Sequence, residues 1–154
     1  TLPPIQKLVD EVVQEQLPLA KNKKLYFHHT IEDLATRLVE GDRLKAKEVL
    51  TNLVSNAIKY TYQGGVTVTH VAVDGRIATK VVDTGVGIEP QYALLMFQNF
   101  QQIGYTHGLS TAKSTGLGLY ISKKLANLMQ GDVILEQSVP GQGSTFTFIL
   151  PRAD

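Results

Sequence analysis

Apolar residues recur at helical spacing at Ile5, Leu8, Val9, Val12 and Val13, behind a Pro3-Pro4 pair that suits a first helical turn. The spacing predicts a helix ending before the polar break Lys21-Asn22-Lys23-Lys24. Residues 25–30 are expected to form a short strand, and 34–39 a short ambiguous segment closed by Gly41. Asp42 is placed to N-cap a long helix over 43–60, with Ala46, Val49, Leu50, Leu53, Val54 and Ala57 as its apolar stripe. After Gln63-Gly64-Gly65 the pattern changes period. Residues 66–73 alternate, Asp74-Gly75 signals a hairpin, and 76–82 return as the partner strand. Pro90 opens a short helix carrying Tyr92, Leu94, Leu95 and Phe97; Phe97 and Phe100 read as core plugs. A helix with Ile121, Leu125, Leu128 and Met129 follows, closed by Gly131-Asp132. A strand at 133–136, a turn at 140–143 and a last alternating strand at 144–150, stopped by Pro151, complete the chain.

Between Phe100 and the last helix, residues 101–115 are rich in Gln, Gly, Ser and Thr and poor in apolar residues. Such a stretch inside a compact domain reads as a lid. The 154 residues amount to about one domain. Their 43% hydrophobic content supports a real core, and a net charge of +1 without a basic block argues against nucleic acid as a partner. Absence of Cys removes disulfides and thiolate metal sites and fits a reducing compartment. No apolar run reaches the ~20 residues of a membrane span. A first residue of Thr suggests a piece of something longer.

Three stretches carry candidate chemistry. Asp83-Thr84-Gly85-Val86-Gly87-Ile88 ends a strand in one carboxylate and two closely spaced glycines. By itself this is most simply an Asx-turn; it also suits a base pocket, with Asp83 accepting from an exocyclic amine and the glycines letting a ring approach backbone. Asn52, Asn56 and Lys59 share one stripe at i, i+4 and i+7, running up to Tyr60. Asn is a weak helix former for a free surface. Two amide oxygens, an ammonium and a flat ring together match a metal-bound polyphosphate with its base. Gly116-Leu117-Gly118 at an expected helix start would expose N–H groups at a positive dipole end. It is no Walker loop: His107 and Ala112 stand where that loop's glycines would be. His28 and His29, adjacent on a strand, point to opposite faces and read as packing or solvent rather than metal ligands.

In this order (the run from Asn52 to Tyr60, Asp83-x-Gly85-x-Gly87, Phe97-xx-Phe100 and Gly116-x-Gly118) the motifs resemble the catalytic ATP-binding domain of sensor histidine kinases. That group shares a superfamily with gyrase-type and mismatch-repair ATPases. The ending from Gly143 to Phe148 is similar to the family's last strand. The resemblance covers nearly the whole chain as one domain, 1–154, and implies an α+β fold: a two-layer α/β sandwich whose mixed, mainly antiparallel sheet carries helices on one face.

It further implies a Mg²⁺ ligand in Asn56, with Asn52 near metal and phosphates, and a phosphate contact in Lys59. Tyr60 would stack on adenine and Asp83 would accept its amine. Gly85 and Gly87 would shape that pocket, with Thr145 as Asp83's hydroxyl neighbour. Gly116, Leu117 and Gly118 would face phosphates at the lid's end, and Phe97 and Phe100 would anchor the lid. The implied cofactors are ATP and Mg²⁺. Hydrolysing relatives place a Glu general base at position 52; an Asn cannot take that proton, so transfer to a protein acceptor is expected rather than hydrolysis. Glu48, one turn earlier, could only partly substitute. The family's acceptor is a His on a helical hairpin of a dimerisation domain, from which a response regulator then receives the group. No such hairpin is expected within this chain, nor contact with a membrane, and the implied location is cytoplasmic, within a larger sensor. A nucleotide-binding interaction module without kinase activity is the alternative.

Overall fold

The computed structural model describes residues 4–30, 39–93 and 110–153, with the side chains of Val73 and of residues 110–117 excepted. Helix α1 (Ile5–Asn22) is followed by β1 (Tyr26–His29), α2 (Arg43–Lys59), β2 (Gly65–Val73) and β3 (Arg76–Asp83). A short turn of helix, α3 (Pro90–Ala93), precedes α4 (Ser110–Leu128), β4 (Asp132–Val139) and β5 (Gly143–Pro151). The strands form one sheet in the order β1-β2-β3-β5-β4; β1 and β2 are parallel and the other neighbours antiparallel.

Register and alternation decide what the sheet presents to the helices. Val66, Val68 and His70 lie beside Asp83, Val81 and Thr79, which lie beside Ser144, Phe146 and Phe148. Phe148 and Phe146 in turn meet Val133 and Leu135. All share one face by the period of two, and the apolar ones join the side chains of α1, α2 and α4 in a single core. The opposite face carries Thr67, Thr69, Lys80 and Thr145; there Lys80 bonds Glu136, which also accepts from Thr147. The fold is therefore the expected two-layer α+β sandwich with a mixed, mainly antiparallel sheet.

Helix α2 is the centre of the helical layer. Asp42 caps it as expected, its Oδ1 accepting from Lys45 N–H at 3.0 Å. Ala46, Val49, Leu50, Leu53, Val54, Ala57 and Ile58 are buried beneath it; a fully buried Leu contributes roughly 1.5–3 kcal/mol. Helix α1 runs parallel to α2, since Glu11 pairs with Arg43 and Glu15 with Lys47.

Several expectations change. Helix α1 runs through the polar Lys21-Asn22 to an end capped by Lys23. Strand β4 extends beyond 136 to Val139, because a register shift between Leu135 and Gln137 lets it keep pairing with β5. Pro151 belongs to β5, opposite Arg76. Leu128 is 69% exposed and lies outside the core; among the described side chains of α4, Leu119, Ser122 and Ala126 are buried, with Met129 just beyond its end. Phe97, Phe100, most of the segment 34–39 and the part of the expected lid at 101–109 lie outside the described residues. The remainder of that lid, 110–115, is the first part of α4.

The two adjacent histidines separate as alternation requires. His28 stacks on Tyr26, with ring centroids 4.7 Å apart. His29 faces α1 and bonds Asp10 through Nδ1 at 3.2 Å and His70 through Nε2 at 2.8 Å. His70, 2% exposed, also contacts the Thr79 hydroxyl at 3.1 Å. This chain of four groups ties α1, β1, β2 and β3 together. Burial first, and the neighbouring His29 second, pull His70 down to about 4.

An unfolded His takes a proton near pH 6.5 while the folded His70 does not until about pH 4. Stability contributed by neutral His70 is thus complete above pH 6.5 and falls as pH drops toward 4, by about 3 kcal/mol in all. Urea titrations at pH 7 and 4.5 should show this loss in the wild type, and a shallower loss in His70→Gln; equal pH slopes would contradict the assignment.

Candidate active site

The stripe opposite the buried face of α2 opens into a cleft. Its walls are Leu19, Asn22 and Lys23 from the end of α1, Asn52, Ser55, Asn56, Ile58 and Lys59 from α2, and Gly118 from α4. Its volume is about 560 Å³, within the ~300–1,000 Å³ of small-molecule sites. Asn52, Asn56, Lys59 and Gly118 are thus brought together, as the motif order implied.

The polar groups differ in how they are held. Asn52 Nδ2 donates to Ser122 Oγ at 3.1 Å, and Ser122 is fully buried on α4. That contact fixes the carboxamide of Asn52 and leaves its oxygen available. The carboxamide of Asn56 makes no hydrogen bond among the described residues, and Gly118 passes beside it. Lys59 is exposed, with Nζ 5.4 Å from the centroid of the Tyr60 ring. Lys23 donates to the carbonyls of Ile58 and Lys59 at 2.8 and 2.9 Å; burial lowers its ammonium below the ordinary lysine value.

Asp83 lies beyond the carboxyl end of α2 and does not line the cleft. It is 8% exposed. Its Oδ1 accepts from the backbone N–H of Gly85 at 2.8 Å and of Ser144 at 3.2 Å, while Oδ2 has no partner among the described residues. Burial raises the carboxyl above its usual range, and the two N–H bonds oppose that shift. The following loop is latched by Thr84, whose hydroxyl donates to Gln63 O and accepts from Gly65 N–H. Val86 N–H then bonds Tyr60 O, joining this loop to the end of α2.

The glycines serve a closer packing than expected. A Cβ on Gly85 would lie 2.4 Å from Tyr60 O and 2.8 Å from Thr61 Oγ1. One on Gly87, at φ +72°, would lie 2.2 Å from Val139 O. These residues let the loop close on the chain's own backbone. They thereby frame the Asp83 carboxyl.

Two placements are corrected. Thr145 pairs with Val82, so alternation sets it on the sheet face away from Asp83. The residue opposite Asp83 is Ser144, whose hydroxyl bonds that of Ser138 at 2.8 Å. The pattern 144, 146, 148, 150 would have found it, because Phe146, Phe148 and Leu150 mark the buried face. Gly116, Leu117 and Gly118 lie inside α4, which begins at Ser110, so they are not at a helix start and the dipole argument for them fails. Residues 110–115, including Ala112 and Lys113, continue the helix upstream. Ser122 and Lys23 carry no sequence signal that marks them: each is defined by a partner about seventy or thirty-five positions away.

The architecture is that of the histidine kinase type of ATP-binding domain. Residues 41–154 match the family of histidine kinase-, DNA gyrase B- and HSP90-like ATPases, and the chain belongs to that family. The sensor histidine kinase RcsC of Escherichia coli K12 is 37% identical over 147 residues, which cover 95% of this chain and 15% of RcsC. Full-length ShkA, crystallised with AMPPNP, superposes with a TM-score of 0.82 at 31% identity over 99% of this chain and 31% of ShkA. The nucleotide-free catalytic domain of the histidine kinase ThkA gives 0.80 at 26% identity, over 97% of this chain and 95% of that one. The chain thus spans a small part of RcsC and nearly all of the ThkA catalytic domain. No helix among the described residues is long and apolar enough to cross a membrane.

A carboxyl raised by burial contributes stability while protonated and loses it as pH rises through its folded pKa. In Asp83→Asn the amide oxygen can keep both N–H bonds without a buried charge. Its melting temperature at pH 7 should equal or exceed the wild type's, and the gap should close toward pH 4; a lower value at pH 7 would refute this account of Asp83.

Proposed function

We propose that this chain is a catalytic domain that binds Mg-ATP and passes the γ-phosphoryl group to a histidine on a separate dimerisation and phosphoacceptor domain of its parent kinase, for relay to a response regulator. The observation that carries it is the cleft in which Asn52, Asn56, Lys59 and Gly118 converge, with the free Oδ2 of Asp83 beyond the same helix end. In this reading Asp83 Oδ2 accepts the adenine amine, the Tyr60 ring stacks on the base and Lys59 meets the phosphates. Gly85, Gly87 and Ser144 frame the carboxyl; Gly116, Leu117 and Gly118 border the phosphate side. The AMPPNP complex of ShkA supports ATP as the ligand class.

The donor set tests whether a metal fits. Among the described residues no trio of His, Cys, Asp or Glu could hold an ion by itself. What the cleft offers is the unengaged amide oxygen of Asn56, with that of Asn52 one turn away. Such neutral oxygens suit Mg²⁺, which keeps most of its shell as phosphates and water. Bound there, the ion would neutralise phosphate charge; the chain's own part is to hold Asn56, Lys59 and the base in place.

Asn52 decides between transfer and hydrolysis. Its amide, fixed by Ser122, cannot accept a proton from water near neutral pH, so the chain lacks a general base at that position. The γ-phosphoryl awaits an imidazole instead: the bond to the β-phosphate oxygen breaks, a P–N bond forms, and ADP leaves. We place the domain on the cytoplasmic side of a larger sensor, with residues 101–109 as part of the nucleotide lid.

Mixing the chain with labelled ATP and the acceptor domain should put acid-labile, base-stable phosphate on the acceptor histidine, while the chain alone releases little phosphate. Normal ATP binding without labelling would favour a nucleotide-dependent interaction module, and sustained phosphate release by the chain alone would overturn the Asn52 argument. Asn56→Ala should weaken Mg-ATP binding roughly tenfold or more, the loss of a charge-linked contact of about 1.5–3 kcal/mol, and barely change metal-free adenosine binding. Calorimetry showing equal losses for both ligands would make Asn56 structural.

A further inference from the structure

Helices α1 and α2 run parallel, and both end at the cleft. The pairs Glu11–Arg43 and Glu15–Lys47 set the direction, and Lys23, the C-cap of α1, reaches the last turn of α2. Each helix carries about half a negative charge at its carboxyl end. Two such ends therefore lie side by side, where the cleft is lined by Asn22 and Lys23 from one helix and Asn56 and Lys59 from the other. Anions ordinarily bind at the opposite pole of a helix. On the Mg-ATP reading, on which this inference rests, a polyphosphate approaches the unfavourable ends of two helices.

The carbonyls of α2's last turn are each met. Asn56 O accepts from Tyr60 N–H, Ala57 O from the Thr61 hydroxyl, and Tyr60 O from Val86 N–H. Ile58 O and Lys59 O take the Lys23 ammonium at 2.8 and 2.9 Å. Thr61 N–H also reaches Ile58 O, at 3.3 Å. The same ammonium lies 4.5 Å from the centroid of the Tyr62 ring and has no carboxylate partner among the described residues. It is carried by the C-cap residue of α1 and touches the last turn of α2. Lys23 precedes residue 41, where the family match begins, so nothing in that match assigns it a role.

We infer that Lys23 is a positioning residue for the nucleotide's phosphates: its ammonium offsets the paired carboxyl ends of α1 and α2 and holds the Lys59 backbone, leaving the Lys59 side chain free for the phosphates. A helix clasp with no electrostatic purpose would make the same hydrogen bonds. The two differ in what they do to ligands of different charge.

Calorimetric titration of ADP and of adenosine into the chain separates them. Lys23→Met keeps the aliphatic stem and removes the charge; ADP affinity should fall about five- to tenfold and adenosine affinity less than about twofold. Lys23→Gln keeps a donor for the carbonyls without charge and should show the same phosphate-selective loss. Lys23→Arg should recover ADP affinity to within about twofold. Raising salt should narrow the difference between wild type and Lys23→Met for ADP. Equal losses for ADP and adenosine in the Met and Gln variants, or unchanged ADP affinity in either, would overturn the inference. Where Lys23→Met fails to fold, Lys23→Gln decides. A wild type that binds neither ligand overturns the nucleotide reading itself, and this inference with it.

Discussion

Seven apolar side chains on one stripe of α2 seat that helix between the sheet and its two neighbours, and the position of the cleft follows from that seating. Once Leu50, Leu53, Val54 and Ala57 are buried, a helix of 3.6 residues per turn has no choice but to turn Asn52, Asn56 and Lys59 the other way. The site is the reverse side of the core. Helices α1 and α4 make the cleft's walls, and α4 adds the Ser122 hydroxyl that holds Asn52. A core mutation under α2 would accordingly disturb the site by moving a whole stripe at once.

The sheet contributes in a different way. Antiparallel pairing of β3 with β5 delivers Asp83 beside Ser144 at the strand ends, and the Ser144 N–H helps hold one carboxylate oxygen while the other has no partner among the described residues. A buried carboxylate with one oxygen unmatched among the described residues costs stability in the empty domain. Gly85 and Gly87 make the arrangement possible by letting the loop approach Tyr60 and Val139 closely.

Charge is arranged with similar care at the two ends of the helical layer. At one, the Asp10–His29–His70–Thr79 chain buries an imidazole that stays neutral. At the other, Lys23 and Lys59 sit where two helix dipoles point their negative ends. Exposed pairs such as Lys47 with Glu15 contribute little by comparison.

Local periodicity was enough to read most of the elements: the Asp42 cap, the stripe of α2, the hairpin at Asp74-Gly75 and the opposite faces of His28 and His29 follow from spacing alone, because helix and strand periods act within a few residues. The order of the Asn, Asp-Gly and Gly-x-Gly stretches likewise identified the family. What spacing could not supply was anything set by two distant segments. Thr145 looked suitable until register assigned the place to Ser144. Gly116-x-Gly118 looked like a helix start until the helix proved to begin at Ser110. The glycines after Asp83 proved to pack against Tyr60 and Val139, and Lys23 and Ser122 acquired meaning only through partners on other helices. Periods are local properties of a chain; register, helix direction and the meeting of carboxyl ends are decided only when the layers close on each other.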